Sequence, residues 1–252
     1  MATIIPRRTI VQLRFKPQFD FPDKIGTIGR IAQKITGFEE WLRDTLEGVI
    51  FERSLLKVVA IRNGEVATTI DSFAPEEKDR LKWGCDSVLK IAAEYGENAY
   101  FRAGVRQWYA ISIGTRDESA IMRKLKEKYF NASNFESSLD LEVEDHAQVL
   151  EFKNKSDSRK TARLEFGPMS RASNEWQARL RYDPQKELHL TSAAVEAIVG
   201  SLPSDFIYLD LDRGFKAKSH DEPLTVEAVT GFLDEILKSE TVIAKQFIKD
   251  LG

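Results

Sequence analysis

Two β-branched runs, Leu55 to Ile61 and Glu65 to Ile70, flank Asn63-Gly64. An Asn-Gly pair tolerates the positive φ angles of a two-residue type I′ turn, whose twist matches that of the strands it joins. The segment is therefore expected to be a β-hairpin, which commits the first half of the chain to a sheet. Val11, Leu13 and Phe15 alternate with Gln12 and Arg14, giving a strand with one apolar face that Lys16-Pro17 ends. Ile25, Ile28, Ile31, Ala32 and Ile35 then recur at helical spacing with Gly37 as a stop, and Trp41, Leu42 and Leu46 suggest a second short helix.

Pro75-Glu76-Glu77 supplies a helix start, and Leu81, Cys85, Val88, Ala92 and Tyr95 mark one buried face of that helix, ended by Gly96. Cys85 is thus expected to be a core thiol rather than a nucleophile. Tyr100 to Ile113 reads as a long strand with Gly104 at a bulge or a close approach. Simple alternation puts Arg102, Gly104, Arg106 and Trp108 on one face. Two arginines and a tryptophan there can stack on a base, clasp a phosphate or line a contact between elements. The basic helix around Arg123 to Lys128 carries Met122 and Leu125, as an amphipathic solvated helix does.

The polar, aperiodic stretch Asn131 to Ser138 divides the chain into an expected N-terminal unit, 1–132, and a C-terminal unit, 133–252. Short alternating runs in the second unit (141–143, 147–152, 162–166, 177–182 and 187–190) predict an antiparallel sheet, followed by a short helix at 192–201 and a strand at 206–212. A final helix is expected from about Thr225 to Leu251. The fold class is therefore α+β, with two units: the first mixed β/α with a β-hairpin, the second an antiparallel sheet packed by a long C-terminal helix. Along that helix Val229, Phe232, Leu233, Ile236 and Leu237 are expected in the core. Ile243, Phe247 and Ile248 are expected to face a partner protein, a second copy or the first unit.

Composition narrows function chiefly by exclusion. Net charge is −3, but residues 1–132 carry a balance of +4 and 133–252 one of −7; a global nucleic-acid footprint is absent, while the halves are electrostatically complementary. No apolar run is long enough for a membrane helix, and the start lacks a secretory h-region, so the expected location is the cytosol without membrane attachment. One cysteine and three scattered histidines, His146, His189 and His220, do not make a zinc site. None of the phosphate-loop, zinc-protease or nucleophile-elbow motifs occurs, and no cofactor is expected. Gly26-Thr27-Ile28-Gly29 spells GxxG inside an amphipathic helix, where helix packing explains it. Asp210 and Asp212 share a strand face and are the pair most suited to a magnesium ion or to acid/base work, but solvated alternation with Arg213 and Lys216 as partners is the favoured explanation.

Pro6 to Phe15, Phe101 to Trp108, and Leu209-Asp210-Leu211-Asp212 ahead of a terminal helix resemble, in order and spacing, a sporadically distributed bacterial family of about 250 residues associated with mobile elements and defence. The resemblance implies no site residue. The expected function is a noncatalytic protein-interaction component, an accessory or sensor part of an anti-phage defence system, with another protein or a second copy as partner. The alternatives are a nucleic-acid or nucleotide binder using Arg102, Arg106 and Trp108, and a magnesium-dependent enzyme centred on Asp210 and Asp212.

Overall fold

The computed structural model describes residues 3–43, 47–52, 56–71, 79–112, 118–129, 148–170, 200 and 202–251. In chain order the elements are β1 (Thr3–Phe15), α1 (Phe21–Thr36), β2 (Glu40–Arg43), β3 (Glu47–Phe51), β4 (Lys57–Arg62), β5 (Glu65–Asp71), α2 (Arg80–Tyr95), β6 (Ala99–Ser112) and α3 (Glu118–Tyr129). The rest are β7 (Gln148–Lys153), β8 (Lys160–Ser170), β9 (Asp205–Lys216), β10 (Leu224–Thr225), α4 (Val226–Lys238) and α5 (Val242–Leu251). The strands form one sheet in the order β2, β3, β4, β5, β1, β6, β9, β8, β7, with β10 added to the start of β6. Every pairing is antiparallel. The fold is α+β.

The hairpin forms at Asn63-Gly64, where Arg62 pairs with Glu65 and Gly64 has φ of 85°. Gly37 and Gly96 end α1 and α2 in the left-handed region, as their positions imply. The expected boundary at 131–138 lies outside the described residues, as do the runs at 141–143, 177–182 and 187–190 and the helix start at 75–77. On either side of that interval the sheet is continuous: β6 and β9 pair from Arg102 with Lys216 to Ile111 with Ile207.

Alternation sorts the sheet into two faces. Val11, Leu13, Val105, Tyr109, Leu209 and Leu211 point toward the helices and belong to two hydrophobic clusters. One cluster joins α1, α2 and α4 through Ile25, Val88 and Phe232; the other joins α3 and α5 through Leu125 and Phe247. Both contain residues from each half of the chain. Burying such apolar surface stabilises by roughly 25 cal/mol per Å², so each half depends on the other for its core.

Three local expectations change. Residues 40–43 form strand β2, not a helix, because Trp41 pairs opposite Ile50 and lays its ring against α1 at Gly29. A Cβ on Gly29 would come within 2.6 Å of that ring, so the GxxG spelling reflects helix-to-strand packing. Gly104 is neither a bulge nor a tight approach: it pairs in register with Gln12 and Gly214, and the irregularities lie at Pro6/Arg8 and Arg14/Phe15. The C-terminal helical region is interrupted between α4 and α5. There Ser239 bonds back to the Glu235 carbonyl, while the Glu240 carbonyl accepts from Tyr109 Oη at 2.9 Å. Thr225 caps α4 by accepting from the Ala228 amide.

Candidate anion-binding cleft

The sheet face turned away from the helices carries the charges. Arg14 of β1, Arg102 of β6 and Lys216 of β9 are direct register partners across three adjacent strands. Neighbouring strands lie about 4.8 Å apart, and like charges placed directly opposite destabilise a sheet by some tenths of a kcal/mol. Local neutralisation is partial. Arg14 reaches Glu65 at 3.0 Å, but Glu65 is also approached by Arg62 at 3.3 Å. Arg102 approaches Asp212 only to 3.8 Å, beyond hydrogen-bond distance, and its buried Nε has no hydrogen-bond partner among the described residues. Lys216 is exposed and has no ion-pair partner there.

The next row along the same face is almost bare. Gly104 and Gly214 oppose each other. A Cβ on Gly104 would sit 3.7 Å from Arg102 Nε, and one on Gly214 would sit 3.5 Å from Thr161 Oγ1. Both are ordinary contact distances, so protein packing does not demand the glycines. Bare strand backbone is where another group can come close.

Two cavities open on this region. The larger, about 770 Å³, is lined by Arg14, Arg62, Arg102, Lys216, Lys218 and His220, with Glu65 as its one carboxylate. The smaller, about 450 Å³, contains Arg102, Lys216, Gly214, Asp212 and Arg163. Arg102 and Lys216 therefore belong to both. Volumes of 300 to 1,000 Å³ are the usual range for small-molecule sites. His220, which follows β9, packs at a tilt of 56° against Phe101 with ring centroids 4.7 Å apart and adds an aromatic wall.

The other sequence-selected residues lie elsewhere. Arg106 is held by Asp210, with Nε at 3.0 Å and Nη2 at 2.5 Å, and this carboxylate keeps the guanidinium above its ordinary pKa. The Trp108 ring lies beside two guanidinium groups, that of Arg106 at 5.3 Å and that of Arg8 at 4.8 Å. Arg8 is in turn bound to Asp71 at 2.6 Å, both residues being buried. Trp108 is only 8% exposed and so offers little open face to a base. Of Arg102, Arg106 and Trp108, the cleft contains Arg102 alone.

Asp210 is likewise committed to Arg106, while Asp212 borders the smaller cavity. Among the described residues no three His, Cys, Asp or Glu side chains come together as a metal site would require. Cys85 is buried, and burial pushes its thiol up to about 12. Phe247 is 4% exposed and packs between Tyr129 and Phe166, with Ile243 and Ile248 against the same cluster. This part of α5 covers α3 from the first half of the chain and is not an open partner surface. His146 and His189 lie outside the described residues.

Arg14 and Gly214 are cleft residues that a linear reading passes over, and it does not bring Lys216 beside Arg102 or Gly104 opposite Gly214. Their juxtaposition depends on strand order, which places β1, ending at Phe15, beside β6, starting at Ala99, and β6, ending at Ser112, beside β9, starting at Asp205. No protein-family model and no curated protein matches the chain.

No helix among the described residues is long and apolar enough to cross a membrane.

Proposed function

We propose that this chain is a noncatalytic binding protein, an accessory or sensor component of the kind its family resemblance implies, and that its cleft takes a nucleotide. The observation that carries this reading is the in-register row Arg14, Arg102 and Lys216, of which, among the described residues, only Arg14 meets a carboxylate as closely as 3.0 Å. A phosphate group placed on Arg102 and Lys216 relieves their mutual repulsion and supplies the acceptor that Arg102 Nε lacks. The Phe101–His220 pair supports a planar ring beside it. An overall charge of −3 disfavours a long polyanion laid across the whole surface, which supports a mononucleotide over nucleic acid.

The groups gathered here bind; of the candidates for reaction, Asp210 is engaged by Arg106 and Cys85 by the core, and Asp212 stands at the cleft edge, outside any metal-type cluster among the described residues. A protein partner is supported separately by apolar side chains on the outermost described strands, Leu42 of β2 and Val149 and Phe152 of β7, each about half exposed.

Calorimetric titration of the full chain with ATP, AMP and adenosine tests the reading. Affinity should fall in that order and weaken as salt is raised. ATP binding no tighter than adenosine, or displacement of ATP by an equimolar single-stranded oligonucleotide, contradicts it.

A further inference from the structure

On the opposite, helix-covered face, Arg213 of β9 stands in an unusual position. It points from the sheet toward the α4–α5 interruption, where Nη1 donates to Ser239 Oγ at 2.9 Å and Nη2 to Gln107 Oε1 at 2.5 Å. Both partners are neutral. Of the three remaining N–H groups of Arg213, the one on Nε is buried with no partner among the described residues, as is Nε2 of the fully buried Gln107. Unmet buried donors cost about 1 to 3 kcal/mol each, and more when charged. Glu240, which attracts Arg213 electrostatically, is itself held by Arg80 at 2.6 Å. Burial holds the Arg213 pKa below its ordinary value, the signature of a cation without a counter-ion in contact.

Beside this guanidinium is a cavity of about 270 Å³ between the β7–β8 hairpin and α4. Its walls are partly apolar, from Phe152, Ala162, Phe232 and Ile236. Ala162 is the register partner of Arg213, so a small side chain leaves the space over the guanidinium unfilled. Lys153, Lys160 and Arg213 line it against one carboxylate, Glu235, which Lys160 engages at 2.7 Å. The volume lies just below the range for drug-sized ligands.

We propose that this cavity, which shares only Phe152, Lys153, Thr161 and Ala162 of β7 and β8 with the cleft's smaller cavity, is a second binding site for a small carboxylate with an apolar body, its oxygens on Arg213 and its hydrocarbon part between Phe232 and Ile236. A carboxylate accepts from the second N–H groups of Nη1 and Nη2, which Ser239 and Gln107 leave unused, and neutralises the charge; a body the size of a benzene ring suits the apolar walls.

The test uses the full chain titrated with benzoate, hexanoate and the neutral benzyl alcohol. Binding is followed by ligand-observed NMR and by the arginine Nε–Hε resonance that disappears in Arg213→Lys. We expect saturable one-to-one binding of at least one acid, a shift of the Arg213 resonance, and benzyl alcohol weaker by about tenfold or more. Ala162→Phe, which fills the space over the arginine, should abolish binding of the acids. No saturable binding of either acid, equal binding of benzyl alcohol, or an unmoved Arg213 resonance overturns the proposal and leaves a buried water as the partner. The wild-type measurements decide the matter even where Ala162→Phe does not fold.

Discussion

Arg106 lies opposite Asp212 in the β6–β9 ladder, yet its guanidinium closes diagonally on Asp210. The pair is asymmetric: the Arg106 side chain is 39% exposed and that of Asp210 only 3%. Removing Arg106 strands a carboxylate that cannot reach water, whereas removing the acid frees an arginine that can. Arg106→Ala is therefore expected to destabilise by about 2 to 3 kcal/mol, with the solvent-exposed side of the pair lowering the figure for a fully buried one. Asp210→Asn should cost less. Urea unfolding of the two variants checks the order, and a larger loss from Asp210→Asn contradicts it.

The aromatic cluster of Phe247, Tyr129 and Phe166 ties α5 to α3 and β8. Phe247→Ala should cost about 3 to 5 kcal/mol, as core phenylalanine truncations do. Phe247→Asp should unfold the chain as severely as Phe232→Asp. Size measurement combined with thermal melting separates this from docking, which predicts altered association with the melting point kept.

Gly29 has no room for a methyl group, since the Trp41 ring occupies the place where its Cβ would lie. Gly29→Ala should displace β2 from α1 at a cost of about 1 to 3 kcal/mol, visible as a red shift in tryptophan emission. Unchanged stability and emission would show that Trp41 is not packed there.

Burial raises the Cys85 thiol pKa from its model-compound value of 9.0 to about 12. The native state thus holds this proton more tightly than the unfolded state. The contribution to stability is complete below about pH 9 and is lost as the pH rises from 9 toward 12. At pH 8 alkylation of the native chain should be slow and should become rapid in urea; equal rates in both would place the thiol at the surface.

Local features of the fold were legible wherever a short-range rule governed them. Asn63-Gly64 made its turn, Gly37 and Gly96 stopped their helices, and Leu81 to Tyr95 packed one face inward, because each depends on neighbours within a few residues. Trp41 misled because its apolar spacing fits a helix as well as a strand, and the deciding contact, with Gly29 and Ile50, is tertiary. The polar triplet Ser239-Glu240-Thr241 was the available sign that the terminal stripe breaks. For the site, alternation correctly placed Arg102, Arg106 and Trp108 on one face. It did not tell that Asp210 and Arg8 enclose the latter two, nor that Arg14 and Lys216 flank the first; strand order and register decide that.

The central claim is that the Arg14, Arg102 and Lys216 row is kept for a bound anion at some expense in stability. The most direct measurement is Lys216→Gln, followed by thermal unfolding and by ATP calorimetry on the same sample. Because Lys216 is exposed and opposes another cation, the change should leave stability equal to or slightly above wild type, within about 0.5 kcal/mol. ATP affinity should meanwhile fall by about tenfold or more. Unchanged ATP affinity, or a loss of stability with ATP binding intact, would show that the row serves the fold and not a ligand.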